Sequence, residues 1–469
     1  MIGSDLTCCR PALVDLDGDG QLEMIVGAPS NPTCYMNYIR DALWAISPNG
    51  QLISGFPILI DDSACSSPAV GDLNGDGTPE IIVGSSINNL STDRKLYGFT
   101  NKGMSLPGWP LLLDEGDKRY VYAAPSMGDL DGDGLPEIIY GSRNGKLYAC
   151  KIDGQDLDGW PVDLKTIPTD GFGGSVALGD IDNDGSLDIL AYLSGGFMYA
   201  LNADGTIKTG WPRLVGRAMT WGFPNEIGTR PTGEEVYVAE VTSAPVLCDL
   251  DGDFDLEIIF LTNTLRATLY VLDHEGNILP GFPFYMEDDG MFFESVRSTP
   301  AIGDLDGDGH REIAIWTDVG KLWIVKDDGT VPVGWPKELR AGGFPFKAIF
   351  KPSYPAIVDI DYDGGLEVLA PGWIGGDTPE DPSISYLWSF EADGEATSGW
   401  PVILDRSLVN MPTVDDIDGD GALEIALAIQ GMAHCLHVSR NESLVNPDLA
   451  WRTFQHDPFR TGNVHAWLP

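Results

Sequence analysis

A nine-residue stretch recurs eight times along the 469 residues, in its fullest form with carboxylates at positions 1, 3, 5 and 9 and a glycine at position 6. The clearest copy is Asp304-Leu305-Asp306-Gly307-Asp308-Gly309-His310-Arg311-Glu312. Alternate carboxylates in one tight turn converge on a point, and without a cation they repel. Calcium suits such a cluster, being a hard ion that takes about six to eight oxygens in flexible geometry. Glycine at position 6 supplies the positive φ a sharp turn needs, and position 7 can then offer its backbone carbonyl. An EF-hand opens the same way but places its glutamate at position 12, ahead of a helix. Here the acid falls at position 9 and Ile313-Ala314-Ile315 follows at once, so the stretch reads as a calcium loop within a β-hairpin.

The eight loops, numbered in chain order, begin at Asp15, Asp72, Asp129, Asp180, Asp249, Asp304, Asp359 and Asp416. Loop 1 offers Asp15, Asp17, Asp19, Gln21 and Glu23 as ligands, and loop 2 offers Asp72, Asn74, Asp76, Thr78 and Glu80. Loop 3 offers Asp129, Asp131, Asp133, Leu135 and Glu137, and loop 4 offers Asp180, Asp182, Asp184, Ser186 and Asp188. Loop 5 offers Asp249, Asp251, Asp253, Asp255 and Glu257, and loop 6 offers Asp304, Asp306, Asp308, His310 and Glu312. Loop 7 offers Asp359, Asp361, Asp363, Gly365 and Glu367, and loop 8 offers Asp416, Asp418, Asp420, Ala422 and Glu424. In each set the fourth residue acts through its carbonyl. Up to eight structural calcium ions are expected.

The loops are not equal. Loop 5 has Phe254 at position 6, where positive φ strains any side chain, so its site is expected to be weakest. Asn74 removes one charge from loop 2 but keeps an oxygen, and the short Asp188 should loosen the ninth ligand of loop 4.

The elements that must hold these loops repeat with them. A period of about 51–69 residues signals a repeat architecture. Before each loop stands a short strand, such as Ser67–Gly71 or Ser298–Gly303, and after it an apolar run, such as Ile81-Ile82-Val83 or Ile138-Ile139-Tyr140. Apolar runs without alternation suit strands covered on both faces. A third strand is rich in leucine and aromatics, as in Leu322-Trp323-Ile324-Val325, and a glycine turn follows. A fourth strand is expected to carry Gly-Trp/Phe-Pro, from Gly55-Phe56-Pro57 to Gly399-Trp400-Pro401, since proline fits an outer edge. The eighth unit substitutes Ala450-Trp451-Arg452-Thr453-Phe454.

Four antiparallel strands per unit, without a helical period, predict an all-β eight-bladed propeller. One domain over 1–469 would hold blades near 1–62, 63–118, 119–170, 171–240, 241–296, 297–350, 351–408 and 409–469. The recurring Trp and Phe are expected to pack between blades. Ring closure could rest on packing between blades 1 and 8, or on a strand exchanged between the termini.

The loop followed by Ile25-Val26-Gly27-Ala28-Pro29 resembles the FG-GAP/VCBS repeat family, which includes the seven-bladed propeller of integrin α-subunits and many bacterial surface proteins. The resemblance covers nearly the whole chain. It implies calcium on the hairpin between the first and second strands and an extracellular setting, and it implies no ligand. Eight units depart from the integrin pattern, so the integrin ligand mode is not carried over. The segment from Trp451 to Asn463, with His456, Asp457 and Arg460, is similar to a terminal segment of bacterial secreted repeat proteins and is expected to close the last blade.

Net charge is −43, with 28 Lys and Arg against 71 Asp and Glu, and the loops account for much of it. An acidic balance disfavours nucleic acid as a partner. No stretch is apolar enough to span a membrane, and Met1–Asp5 lacks the basic and apolar regions of a signal peptide. A fragment of a longer surface protein is plausible. The seven cysteines, Cys8, Cys9, Cys34, Cys65, Cys150, Cys248 and Cys435, show no CxxC spacing and so no zinc site. Buried thiols, or a bridge among the first four, are the readings.

Alternation of strand direction puts the calcium loops and glycine turns on one face. The irregular segments 28–42, 85–94, 213–245, 284–297, 337–354 and 371–386 fall on the other. These carry Tyr35, Tyr38, Arg40, Arg217, Trp221, Arg230, Tyr285, Phe292, Phe293, Arg297, Lys347, Phe350, Lys351, Trp373 and Tyr386, which would suit a sugar or an acidic polymer. No catalytic motif appears, and His434 and His437 are expected to pack in the last blade. The expected function is an extracellular recognition or adhesion module for a glycan or protein ligand. A polysaccharide lyase on an eight-bladed propeller and a structural spacer are the alternatives.

Overall fold

The computed structural model describes residues 11–438 apart from 30–40, 61–65, 86–94, 113–123, 143, 165–171, 173, 194–195, 216–227, 230–234, 237–239, 242, 264–266, 287–295, 297, 319, 340–353, 375–383, 405–411 and 430–431. No helix occurs among these residues. Blade 6 shows the unit: strands Ala301–Gly303, Glu312–Trp316, Lys321–Val325 and Lys337–Glu338 lie side by side in chain order, each antiparallel to the next. The first pairing runs from Ala301 opposite Ala314 to Gly303 opposite Glu312, so the acidic loop is the turn of a hairpin.

Eight such sheets form the eight-bladed propeller. In blade 5 the innermost strand comes in two pieces, Glu240–Val241 and Val246–Cys248, both paired with Glu257–Asn263. A two-stranded ribbon, Gly228–Thr229 with Glu235–Val236, stands ahead of it. Blade 8 shows Thr413–Asp415, Glu424–Ile429 and Met432–His437 within the described residues. The segment expected to close it, 451–463, lies outside them.

The second strands are buried along their length, as their unbroken apolar runs require. Each such side chain contributes about 1.5–3 kcal/mol. The apolar clusters lie on the seams rather than within single blades. Leu43, Phe56 and Ile60 of blade 1 pack with Val70, Ile81 and Tyr97 of blade 2. Blades 7 and 8 share Val358, Leu369, Val414 and Ile425. The ring closes in the same way, through Leu13 and Met24 of blade 1 against Ile417 and Ala426 of blade 8. The Leu22 N–H also donates to the Ile417 carbonyl at 2.8 Å, just as Arg311 N–H donates to Leu250 between blades 5 and 6. Of the two routes to closure, packing is the one seen; the terminal stretches lie outside the described residues.

The tryptophans do pack on the seams. The indole N–H of Trp109 donates to the Ile152 carbonyl of the next blade at 2.7 Å, and Trp160, Trp211 and Trp335 do the same to Ala203, His274 and Ala392. One expectation is corrected here: Gly-Trp/Phe-Pro is not part of the fourth strand. It forms the turn before it, with the strands starting after the proline at Ile58, Leu111 and Val162. The glycine sits at positive φ, 102° at Gly55 and 84° at Gly108, which ends the hairpin and leaves no room for a strand residue.

Candidate metal centre

Loop backbone comes first. Position 6 lies at positive φ throughout, as at Gly20, Gly309 and Gly421. Position 4 does too, at Gly18, Gly307 and Gly419, which sequence reasoning missed although glycine recurs there. Three side-chain-bearing residues take this conformation: Asn183 (φ 55°), Phe254 (φ 75°) and Tyr362 (φ 63°). Phe254 is therefore strained as expected, and its ring stands 82% exposed. Tyr362 is compensated, because its hydroxyl accepts the Leu423 N–H of blade 8.

This turn consumes a fixed set of oxygens. In loop 1 Asp15 accepts from Gly18 and Asp19 N–H on Oδ1 (2.7 and 3.1 Å) and from Gly20 N–H on Oδ2 (3.0 Å). The position 5 carboxylate takes the position 7 N–H in all eight loops, at 2.7–2.9 Å. The ninth acid takes the position 2 N–H in all eight, at 2.7–3.1 Å. These backbone bonds leave one oxygen each at positions 3, 5 and 9, except at Asn74 of loop 2, whose single oxygen takes the Asp76 N–H. Ligand atoms of Asp15, Asp17 and Glu23 lie within 4.8 Å of one another, and those of Asp129, Asp131 and Glu137, of Asp180, Asp182 and Asp188, and of Asp249, Asp251 and Glu257 do likewise.

The ninth acids begin the second strands and are all buried. Burial pushes the Glu23 carboxyl up to about 7, Asp188 to about 6 and Glu257 to about 8, with neighbouring aspartates adding to the rise in each. Glu80, Glu137 and Glu312 shift the same way, again chiefly from burial. Glu312 Oε1 in loop 6, Asp359 Oδ1 and Glu367 Oε1 in loop 7 and Asp416 Oδ1 in loop 8 are buried without a hydrogen-bond partner. Buried carboxylate oxygens without donors need a cation. The donors are all oxygens, so the set fits calcium.

The loops differ in more than the sequence reading saw. Asn74 spends its oxygen on the Asp76 N–H and turns its nitrogen to Glu80 Oε1 at 2.8 Å, so the retained oxygen does not face the centre. Lysines from the far side of the hairpin enter three clusters. Lys151 Nζ lies 2.7 Å from both Asp131 and Asp133, Lys208 Nζ 2.5 and 2.8 Å from Asp182 and Asp188, and Lys326 Nζ 2.6 and 3.2 Å from Asp306 and Asp308. His437, expected to pack, instead stands exposed with Nδ1 2.6 Å from Glu424 Oε1, beside Asp418 and Asp420. The register signal was available, because His437 pairs with Glu424 across the hairpin.

The turns after the third strand share the face of the loops, as the Lys151 pairs show within a blade and the 3.1 Å bond from Asn101 to the Leu16 carbonyl shows between blades. Of the residues picked out on the opposite face, Tyr285 is described and half exposed, and Tyr386 stacks on Trp388 at 5.2 Å. Trp373 lies on the strand Glu367–Ile374. Tyr35, Tyr38, Arg40, Arg217, Trp221, Arg230, Phe292, Phe293, Arg297, Lys347, Phe350 and Lys351 lie outside the described residues, as do Cys8, Cys9, Cys34 and Cys65. Cys150, Cys248 and Cys435 are free thiols, the first two buried.

The FG-GAP-like repeat family matches residues 15–83 and 129–191, each match starting on the first aspartate of a loop. The chain is a propeller that carries FG-GAP-like repeats. Integrin alpha-7 of Homo sapiens is 30% identical to it over 146 residues, which is 28% of this chain and 12% of that protein. Protein linkin of Caenorhabditis elegans is 21% identical over 317 residues, 65% of this chain and 41% of linkin. The chain spans less than half the length of these curated relatives. Among solved structures, Sqt1 of Saccharomyces cerevisiae aligns with a TM-score of 0.50 at 9% identity, over 94% of this chain and 97% of that one. No helix among the described residues is long and apolar enough to cross a membrane.

Proposed function

We propose that this chain is a calcium-stabilised recognition module of the adhesion type, working outside the cell or at its surface. The observation that carries the calcium reading is the buried ninth acid of each loop, with one oxygen bonded to the position 2 N–H and, at Glu312 and Glu367, the other buried without a hydrogen-bond partner. The ligands would be the side chains at positions 1, 3, 5 and 9 and the position 7 carbonyl. The ions would act structurally, holding the hairpin turns along one face of the ring. Likeness to integrin alpha-7 supports the adhesion reading. A rigid ring that presents irregular loops on the face away from the metal suits a glycan or protein ligand.

Two measurements test this. Thermal unfolding of the chain should shift sharply downward in excess chelator and recover on adding calcium; an unchanged curve would remove the calcium reading. Glycan-array and cell-surface binding should depend on calcium. Binding that survives the chelator would place recognition elsewhere than on a calcium-ordered ring.

A further inference from the structure

The hairpin register sets one residue across from each ninth acid, one step beyond the last paired positions of the second and third strands. Ile138 pairs with Cys150, so Glu137 faces Lys151; Ile313 pairs with Val325, so Glu312 faces Lys326. In the same place stand Ser47, Thr100, Asn202, Asp273, Glu391 and His437 in the other blades. Blade 4, with Asn202 there, brings its lysine from further on. The Lys208 N–H bonds the Ala200 carbonyl at 2.8 Å, where blades 1 and 3 have Ile53 and Leu157.

The oxygens these ammonium groups touch are the ones the turn leaves over. Lys151 meets Asp131 Oδ2 and Asp133 Oδ2, while the Oδ1 of Asp133 holds the Leu135 N–H. Lys326 meets Asp306 Oδ2 and Asp308 Oδ2 and stands 3.4 Å from the buried Glu312 Oε1. Lys208, 8% exposed, holds Asp182 Oδ2 and the Oδ1 that the short Asp188 presents. An ammonium is a compact point charge with three donors and no acceptor. It cannot share those oxygens with a metal ion, and a calcium ion entering must displace it and then lie beside a like charge.

We infer that Lys151, Lys208 and Lys326 are built-in cations that hold loops 3, 4 and 6 in shape without metal, so that these three loops are not among the tight calcium sites of the ring. This rests on the calcium reading above. Calcium affinity in the three lysine loops is expected to be at least about tenfold weaker, the lower end of what displacing supporting groups does to metal sites.

The test counts ions on the full chain by native mass spectrometry and calorimetric titration with calcium. The triple variant K151M/K208M/K326M should take up three more ions tightly than the wild type. Methionine keeps the length of the stem and removes the charge. Eight equivalent tight ions in the wild type, or an unchanged count in the variant, would overturn the inference and leave the calcium reading standing. No tight ion at all would overturn the calcium reading itself. A second measurement needs no variant: amide exchange of the wild type in chelator. Gly132, Gly134 and Gly309 N–H should stay protected, while Gly20, Gly364 and Gly421 N–H lose protection by tenfold or more. Equal loss in all six would overturn the role given to the lysines.

Discussion

Blade 6 faces Glu312 with Lys326, whose ammonium stands 3.4 Å from Oε1; blade 7, its neighbour, faces Glu367 with Glu391. The loops are otherwise alike, with the ninth acid holding the position 2 N–H at 2.8 Å in one and 2.7 Å in the other. In blade 6 the lysine partly offsets the charge, although burial still raises the Glu312 carboxyl. In blade 7 the charge problem is made worse: burial raises the Glu367 carboxyl well above its ordinary range, and Glu391 and Asp361 raise it further. The same turn can therefore carry part of its own counter-charge or be a socket that demands a cation, depending on one side chain of another strand.

The largest effect expected from disturbing this pair is mechanical. Trp335 leaves blade 6, bonds the Ala392 carbonyl of blade 7 at 2.8 Å and meets Phe390 edge-on at 5.9 Å. Trp335→Ala should lower unfolding stability by about 3–5 kcal/mol in denaturant titration, with or without calcium. A loss seen only in chelator would mean that the seam depends on the ion in blade 7.

Transplanting the lysine is the direct exchange. Glu391→Lys should convert blade 7 to the blade 6 arrangement, removing one tight calcium ion and raising stability in chelator by about 1.5–3 kcal/mol, the range for a hydrogen bond to a charged group. If the calcium count holds, the residue across the hairpin does not decide occupancy.

The pH dependence follows from the raised carboxyls. Glu23, to about 7, and Glu257, to about 8, sit above their ordinary value in the fold because burial disfavours their charge. In chelator their contribution is fully present below about pH 4.5 and is lost as pH rises through 7 to 8. Calcium prefers the ionised carboxylate, so in excess calcium the trend should reverse, with stability falling as acid is added. Melting temperatures across pH 4 to 9 in both conditions check this. Parallel curves would show that these acids do not meet the ion.

The smallest effect separates backbone strain from counter-charge. Phe254→Gly relieves a positive φ of 75° and should stabilise the chain by about 1 kcal/mol. It should also tighten calcium at loop 5, where the acids otherwise match the other loops. An unchanged affinity would leave counter-charge as the main source of difference among the sites.

Loops and blades were legible because their signals are local. Acids two residues apart, a glycine at position 6 and an apolar run after position 9 are set by covalent spacing, and they recur in phase. Seam tryptophans were legible for the same reason. The place of Gly-Trp-Pro was not, since a proline at a strand edge and one in the preceding turn read alike in one dimension.

The sequence by itself determined eight acidic turns, eight sheets and a deficit of positive charge. Tertiary structure alone decided which turns receive a cation from the chain. Lys151 and Lys326 reach the aspartates at positions 3 and 5 through the pairing of the second and third strands, and Lys208 reaches Asp182 and Asp188 through the hairpin beyond. Register and rotamer bring them within about 3 Å, and neither is a property of spacing along the chain. Closure of the ring was decided in the same way, where Leu22 and Ile417, at opposite ends of the chain, meet at 2.8 Å.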